Sequence, residues 1–449
     1  MSDRWVLIGG LLFRHGQFEK GNVLVDGGQI VEVGPDVGDG EVIVDATDHW
    51  VFPGLLDVHV HFREPGLQRK EGWDYGSRGA LHGGVTSVLE IQNNPPLCVS
   101  PKRLAEREDI ARRASRVDFG LFPNLLPESV SSLAAMAPNV PGFKLFMGGS
   151  TGMPGVTDYG LLRDLFAAAA AAGRPVVVHA EDESILRRDQ AHFANADARS
   201  HHWIRSAEAE TVAIAAAIEL AAATGASLHV FHISTGRGAE MVAQGKKSGI
   251  DVTGSTSPHY LLLTHEDTAK LGNFLKVNPS VKTPRDRDRL CELLADGSLV
   301  AIGTDHAPHP ADEKRLPYLE APSGLPTLDL VLPLCLEIAA RGVPLDRVLD
   351  AMGPSAAECF GIQHKGRIEA GYDADLAIVN PAEERTVQGT ELPSRSRWSP
   401  FEGWHLRGFP SKVFRRGKVV FEDGECRAAG GGVPLELQPP VPNANKRIV

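Results

Sequence analysis

The sequence predicts an α/β protein, a (β/α)8 TIM-like barrel with a small discontinuous β-sandwich domain built from both chain ends. Three observations predict this class. Short apolar strands alternate with helical segments through the middle of the chain, eight such strands are present, and glycine-punctuated β segments stand at both ends. At 449 residues the chain is long enough for a large core and more than one domain.

The β unit is predicted from both ends of the chain. The first fifty residues alternate β-like runs with glycine turns, as in WVLIGG and GNVLVDGGQIVEVG. Similar β-like sequence recurs at residues 374–379 and 411–421, and we expect the N-terminal and C-terminal β segments to pair. The predicted domains are 1–53 and 366–426 for the β unit, 54–365 for the barrel, and 427–449 for an extended Pro- and Gly-rich tail.

The barrel is predicted from the alternation between the two β segments. The eight candidate strands are 55–61, 85–92, 118–124, 142–147, 175–180, 227–233, 251–255 and 299–304. Helical patterns fill most of the intervals, among them 159–172, 207–224 and 285–295. Such alternation implies a parallel sheet. The alternative is a doubly wound open sheet, but no G-x-G-x-x-G fingerprint follows the first strand, which disfavours a dinucleotide fold.

The composition argues against several classes of binding partner and site. The net charge is −11 and the Lys and Arg residues are scattered, which argues against nucleic acid or an anionic membrane as the main partner. No signal peptide or membrane span is predicted, so we expect a cytoplasmic protein. The cysteines are odd in number and form no C-x-x-C pair, which disfavours disulfides and thiolate zinc sites. They are Cys98, Cys291, Cys335, Cys359 and Cys426.

The stretch VFPGLLDVHVHFREPG, residues 51–66, carries the strongest chemical signal. Alternate side chains of a strand share one face, so we expect Asp57, His59, His61 and Arg63 to face one way. Two imidazoles at the end of a buried strand can share a metal ion, and an arginine just beyond can hold an anionic group. Alone, however, His-x-His is more often a pair of half-buried strand histidines.

Ligand-type side chains also end other candidate strands. They are Lys144 in GFKLFMGG, His179 in VVVHAED, His232 in HVFHIST and Asp305 in GTDHAPH. Each has a structural alternative when taken singly: a snorkelling lysine, a satisfied core histidine or a turn-capping aspartate. Because the active site of a barrel lies at the carboxyl ends of its strands, their joint occurrence favours a metal site. Three further histidines are interpreted as structural, namely His82, His229 and His259.

Together these motifs resemble those of the amidohydrolase superfamily, and within it the cyclic amidohydrolases, with the dihydroorotases as the best match. The resemblance spans the whole chain and is strongest at HVHFREPG, GFKLFMGG, VVVHAED, HVFHIST, KVNPSV and GTDHAPH. It implies a barrel of the amidohydrolase type and hydrolysis of a cyclic amide by a hydroxide that bridges two divalent metal ions, usually zinc.

The resemblance also implies a role for each ligand-type residue. One metal would be held by His59, His61 and Asp305, and the other by His179 and His232. Lys144, carboxylated by carbon dioxide, would bridge them; burial makes the reactive neutral amine accessible. Asp305 would in addition act in catalysis, by accepting a proton and returning it to the leaving nitrogen.

A ring carboxylate is the substrate feature that the resemblance implies, as in dihydroorotate of pyrimidine biosynthesis. Its binding residues would be Arg63, Asn93, Asn278 and His309. Hydantoinases and dihydropyrimidinases lack an arginine at the position of Arg63, and allantoinases typically have asparagine there. Two departures leave a related cyclic ureide or imide as the alternative: Gln92 and Asn94 flank Asn93 where the family usually has proline and threonine, and Tyr260 replaces a histidine.

The same resemblance implies that the chain assembles into a dimer or larger homo-oligomer, with aspartate transcarbamoylase as a candidate second partner. A catalytically silent assembly partner is the non-enzymatic alternative, which the filled ligand positions disfavour. The charged loop 310–325 is predicted either to cover the substrate or to be an ordinary surface connection.

Overall fold

The N-terminal residues form five strands of a β unit in a computed structural model, which describes residues 3–193, 196–427 and 430–442. The strands are β1 (Arg4–Arg14), β2 (Gln17–Asp26), β3 (Gln29–Gly34), β4 (Val42–Asp45) and β5 (Trp50–Pro53). Strand β1 has a bulge at Gly9 (φ +73), where a side chain would collide with Thr47. The first half of β1 therefore pairs with β4 and the second half with β5.

Eight parallel strands follow and close into a barrel. They are β6 (Leu55–Val60), β7 (Val85–Ile91), β8 (Asp118–Phe122), β9 (Phe143–Phe146), β10 (Val176–His179), β11 (Leu228–Val230), β12 (Val252–Thr256) and β13 (Ala301–Ile302). They pair in chain order in two sheets, and the parallel bridges Asn124–Lys144 and Val60–His306 join these into a ring. The predicted barrel is confirmed, although its sixth and eighth strands are shorter than predicted.

Helices connect these strands and surround the barrel. They are α1 (Trp73–His82), α2 (Pro101–Ala114), α3 (Leu133–Met136), α4 (Tyr159–Ala172), α5 (Glu183–His192), α6 (His201–Ile204), α7 (Ala207–Thr224), α8 (Gly236–Lys247), α9 (Pro258–Leu262), α10 (Thr268–Leu271), α11 (Pro284–Ala295), α12 (Ala311–Lys314), α13 (Val331–Ala340), α14 (Leu345–Asp350) and α15 (Pro354–Cys359). Asp158 caps α4 by accepting from the Leu161 amide, and the helix ends at left-handed Gly173. Capping residues of this kind allow the bounds of α4 and α7 to be predicted from the sequence.

The returning chain completes the β unit. Its strands are β14 (Leu376–Val379), β15 (Glu384–Thr386), β16 (His405–Arg407), β17 (Pro410–Arg415), β18 (Lys418–Glu422) and β19 (Glu425–Cys426). Strand β14 pairs with β5, which gives a nine-stranded sheet in the order β19-β18-β17-β14-β5-β1-β2-β3, with β4 on β1. The predicted β unit from both chain ends is thus present.

One part of the returning chain behaves differently from the prediction. Strands β15 and β16 form a separate hairpin, and the segment 387–404 between them leaves the nine-stranded sheet. It lies against the barrel, where the Trp398 indole donates to the His309 carbonyl at 2.8 Å and the Ser394 amide donates to Asp329 at 2.8 Å. The segment therefore supports the barrel loops, although its sequence position suggested the β unit.

The tail crosses the floor of the barrel over its described residues, 430–442. The Phe119 amide donates to the Val433 carbonyl at 3.0 Å, and the Leu435 amide donates back to Phe119 at 2.9 Å. Leu435 joins the cluster of apolar side chains inside the barrel. The rest of the predicted tail, at 428–429 and 443–449, lies outside the described residues. In the part of the chain that the structure describes, no helix has the length and apolarity needed to cross a membrane.

A buried lysine connects the barrel to the β unit. Lys365 Nζ lies 2.7 Å from Asp118 at the start of β8, 3.0 Å from Asp373 and 2.8 Å from Asp375, just before β14. Burial alone would lower the pKa of Lys365, but the three carboxylates outweigh it and hold that pKa above its usual range. Removal of the ammonium would leave three buried carboxylates without their nearest counter-ion.

We therefore expect Lys365→Met to lower the free energy of unfolding by about 3–5 kcal/mol, the typical cost of breaking a buried ion pair. Urea denaturation followed by circular dichroism measures the change. The control is Lys412→Met, which removes a surface pair with Glu422 in the same sheet and should cost under about 1 kcal/mol. Equal, small effects of both substitutions would contradict a structural role for Lys365.

Candidate active site

The predicted site residues meet at the carboxyl ends of the barrel strands. Nine of the ten line a single cavity: His59, His61, Arg63, Asn93, Lys144, His179, His232, Asn278 and Asp305. The tenth, His309, contacts Arg63 beside it. These side chains are distant in sequence, and their convergence follows from the ring of parallel strands.

Three of these residues form a compact group of donor atoms. His59 Nε2 and His61 Nε2 are 3.1 Å apart, and Asp305 Oδ1 lies 3.3 Å and 3.2 Å from them. Donors bound tetrahedrally at zinc distances are separated by about 3.3 Å. The three side chains are buried and could hold one metal ion as they stand.

Hydrogen bonds beyond this group orient its members. The Ile91 carbonyl lies 2.8 Å from His61 Nδ1, which places the proton there and leaves the Nε2 lone pair free for a metal. Asp57 accepts from the amides of His59 and Thr304, both at 3.0 Å. Although it shares a strand face with the histidines, Asp57 thus connects β6 to the end of β13. Burial raises the pKa of Asp57 to about 6.

The two remaining histidines form a second pair. His179 Nδ1 and His232 Nε2 are 3.2 Å apart. The other nitrogen of His179, Nε2, lies 2.9 Å from Glu181 Oε2. Glu181 is fully buried and pairs with Arg205 at 2.8 Å. Because the carboxylate accepts the Nε2 proton, Nδ1 of His179 is free as a metal ligand.

Lys144 is buried among the ligand-type residues. It is 1% exposed, and its Nζ has no hydrogen-bond partner among the described residues. Its Nζ lies 4.8 Å and 4.7 Å from the ring centroids of Phe146 and Phe231. Burial lowers the pKa of Lys144 to about 7. A buried, unpartnered amine of this kind fits a modified ligand better than a structural ammonium.

The backbone is strained at three of the residues that meet at the candidate site. Three site residues that are not glycine adopt positive φ, namely Arg63 (φ 62), His232 (φ 41) and Asp305 (φ 48). Left-handed backbone at such residues costs on the order of 1 kcal/mol and is found preferentially at functional sites. Each of the three residues lies just beyond a barrel strand. The left-handed turn therefore gives the side chain a direction different from the one that a continued strand would give it.

A group of polar side chains lies beside the donor atoms. Arg63 Nη1 donates to Asn93 Oδ1 at 2.6 Å, and Arg63 Nη2 is 3.3 Å from His309 Nε2. With its amide oxygen towards Arg205, Asn278 accepts from Nη2 of that residue at 3.0 Å and donates to Ser323 Oγ at 3.0 Å. Four predicted substrate-binding residues therefore border one end of the cavity.

The two departures beside Asn93 have a structural role. The side-chain amide of Gln92 donates through Nε2 to the backbone carbonyl of Asn94 at 2.7 Å. The side-chain amide of Asn94 donates through Nδ2 to the backbone carbonyl of Pro65 at 2.8 Å. These bonds attach the end of β7 to the turn that follows Arg63. Asn93 still reaches Arg63, so its presentation does not depend on the proline of the family pattern.

Several contributors were missed by the sequence reasoning. Glu181 stands two residues after His179, and this spacing could have indicated it, since alternate residues share a face. Arg205 and Lys70 lie in loops without periodicity, and no local signal marks them. Of the three histidines interpreted as structural, His82 and His229 bond to Asp329 and to Thr253 and Ser255. His259 is fully buried, with both ring nitrogens unpartnered among the described residues.

Glu181 supplies a test of how the second histidine pair is held. We expect Glu181→Gln to weaken metal binding about 10- to 100-fold, because a neutral amide orients the imidazole less strongly than a carboxylate. Metal content after titration with a chelator measures this without reference to activity. Asp182→Asn is the matched control, since Asp182 only caps α5 and bonds Tyr159. If both variants retained metal like the parent, Glu181 would have no such role.

Comparisons with known proteins agree with this geometry. The sequence profile of the Amidohydrolase family matches residues 50–420. A dihydroorotase of Halobacterium salinarum is 39% identical over 92% of this chain and 95% of its own length. An allantoinase of Rubrobacter xylanophilus is 36% identical over 95% of this chain and 96% of its own.

The fold has close counterparts among solved structures. An L-hydantoinase (dihydropyrimidinase) from Arthrobacter aurescens superposes with a TM-score of 0.92 at 29% identity, covering 97% of this chain and 100% of that one. Members of the family typically depend on metal ions, in agreement with the group formed by His59, His61 and Asp305. The chain therefore belongs to the amidohydrolase family and is a hydrolase.

Proposed function

We propose that this enzyme is a dihydroorotase, which reversibly hydrolyses the cyclic amide of (S)-dihydroorotate to N-carbamoyl-L-aspartate in pyrimidine biosynthesis. The observation that carries the proposal is the position of Arg63. Arg63 is 2% exposed, and its guanidinium lies beside the donor atoms with no carboxylate within ion-pairing distance among the described residues. A buried guanidinium left without an anion is costly. A ring carboxylate on the substrate would supply that anion.

The donor set fits two divalent ions, and we propose zinc. His59, His61 and Asp305 would hold one ion, His179 and His232 the other, and carboxylated Lys144 would bridge them. The fit is supported by donor separations of 3.1–3.3 Å and by the unpartnered Lys144 amine. When bound, the two ions would activate a water molecule and polarise the amide carbonyl.

The residues of the chain would orient the substrate and move one proton. Arg63, Asn93 and His309 would hold the ring carboxylate, so that the amide bond lies over the donor atoms. Asp305 would accept a proton from the attacking water through the carboxylate oxygen that does not bind the metal, and would return it to the leaving ring nitrogen. The position of Asp305 Oδ1 between His59 and His61 places this carboxylate at the reacting centre.

The nearest alternatives are hydrolysis of allantoin, or of hydantoin or dihydrouracil. The similar allantoinases and hydantoinases show that this fold accommodates such rings. Those rings lack a carboxylate, so Arg63 would have no anionic partner. Assembly into a homo-oligomer, or with aspartate transcarbamoylase, stays a prediction.

Turnover on four substrates tests the proposal. With zinc and bicarbonate supplied, we expect the enzyme to prefer dihydroorotate strongly over dihydrouracil, hydantoin and allantoin. Arg63→Met should lower kcat/KM for dihydroorotate about 100-fold or more, since a charge-assisted bidentate contact is lost. Activity only on a ring without a carboxylate, or an Arg63→Met variant as active as the parent, would overturn the assignment.

Carboxylation of Lys144 has an expected pH dependence. The neutral amine reacts with carbon dioxide, and burial lowers the pKa of Lys144 to about 7. In metal-free protein the reactive fraction therefore rises as the pH increases through about 7 and falls below it. We expect the ¹³C carbamate signal formed from labelled bicarbonate to follow this course and to be absent in Lys144→Met. A carbamate signal that persists in Lys144→Met would contradict the assignment.

A further inference from the structure

Lys70 contacts His309 on the side away from the cavity. Its Nζ lies 2.9 Å from His309 Nδ1 and 2.7 Å from Glu313 Oε2. Lys70 is 9% exposed and His309 is 1% exposed, so water competes little for these bonds. The chain separation between Lys70 and His309 is 239 residues.

The contact with Lys70 determines which nitrogen of His309 carries the proton. An ammonium group has three N–H donors and no acceptor. Nδ1 of His309 must therefore present its lone pair to Lys70, and the ring proton lies on Nε2. Glu313 Oε2 is 3.5 Å from the same Nδ1, a longer contact, and already accepts from Lys70. Burial lowers the pKa of His309 well below its usual range, so the ring is neutral.

The Nε2 side of His309 lies next to Arg63, which lines the substrate-binding end of the cavity. The Ser323 carbonyl, 3.1 Å from His309 Nε2, accepts its proton in this structure, and Arg63 Nη2 lies 3.3 Å from the same nitrogen. Since both Nε2 and Nη2 carry protons, neither can accept from the other. A substrate carboxylate beside Arg63 has a pair of oxygens that could accept from both donors, and it would share or replace the Ser323 carbonyl at Nε2. In the opposite tautomer, Nε2 would present a lone pair and repel that anion.

We propose that Lys70 is a positioning residue that holds His309 as an Nε2–H donor, and thereby makes the site selective for a ring that bears a carboxylate. Glu313 supports it by accepting from Lys70. The proposal deepens the function proposed above and rests on it. Lys70 acts through His309, and its effect is confined to the carboxylate of the substrate.

Kinetics on a matched pair of rings test the proposal. Lys70→Met should raise KM for dihydroorotate about 10- to 100-fold, the range expected for a lost hydrogen bond to a charged group. Its kcat should change little, and its KM for dihydrouracil, which lacks the carboxylate, should stay within about twofold. Lys70→Arg retains a donor and should restore much of the affinity. Equal losses on both rings, or an unchanged KM for dihydroorotate, would overturn the proposal.

Arg69→Met is the matched control. Arg69 is 64% exposed and binds the other oxygen of Glu313 at 2.5 Å. Its loss removes a neighbouring cation from the same carboxylate while Lys70 stays in place. We expect Arg69→Met to leave both KM values near those of the parent. A rise in KM for dihydroorotate equal to that of Lys70→Met would assign the effect to general charge rather than to the tautomer.

A spectroscopic measurement separates this proposal from the assignment of substrate. ¹⁵N spectra of histidine-labelled protein, with His309→Asn to identify the signals, should show the Nε2–H tautomer in the parent and a mixture in Lys70→Met. If the parent does not hydrolyse dihydroorotate but shows this change, the proposed function fails and the role of Lys70 stands. An Nδ1–H tautomer in the parent would overturn the role of Lys70.

Discussion

The candidate site is constrained by polar atoms that are buried and have no hydrogen-bond partner among the described residues. His59 Nδ1, His232 Nδ1 and Lys144 Nζ have no hydrogen-bond partner among the described residues, and all three side chains are almost completely buried. Burial lowers the pKa of each of these groups. Unsatisfied groups of this kind cost free energy unless a ligand satisfies them. Of the three, the Lys144 amine is the atom that a group bound at the donor set could satisfy, because the converging donor atoms of His59 and His232 are their Nε2 nitrogens.

Carboxylates outside the donor group keep that set in place. Asp57 connects the two strand ends that carry His59 and Asp305. Glu181 orients His179 and is itself held by Arg205. Glu210, from α7, accepts from the amides and hydroxyls of residues 234–235, just after His232. The strand ends that carry the four imidazoles and Asp305 are thus held by three buried carboxylates, which limit the motion of the imidazoles.

The opposite end of the cavity is organised by cations. Arg63 reaches the cavity directly, whereas Lys70 acts on the far side of His309. Lys314, fully buried, donates to three backbone carbonyls of the surrounding loops, at Lys276, Pro322 and Gly324. The cation at Arg63 would align a substrate that carries an anion at this end and an amide at the donor atoms. Selectivity would then come from orientation as well as from affinity.

The sequence by itself determined the architecture and the positions of the candidate ligands. The alternation of eight short apolar strands with helical segments predicted the barrel. The period of two along a single strand placed His59 and His61 on one face. Strand-end positions then located Lys144, His179, His232 and Asp305 on one rim.

Only the tertiary structure decided the contacts between distant segments. Asp57 shares the histidine face but bonds to Thr304, 247 residues away. Lys70 reaches His309, the 387–404 segment packs on the barrel, and the tail covers its floor. Local periodicity carries no information about such pairings, since they depend on how loops of irregular backbone meet in space. The sequence therefore predicted which residues meet at the candidate site, and the fold decided which buried neighbours orient them.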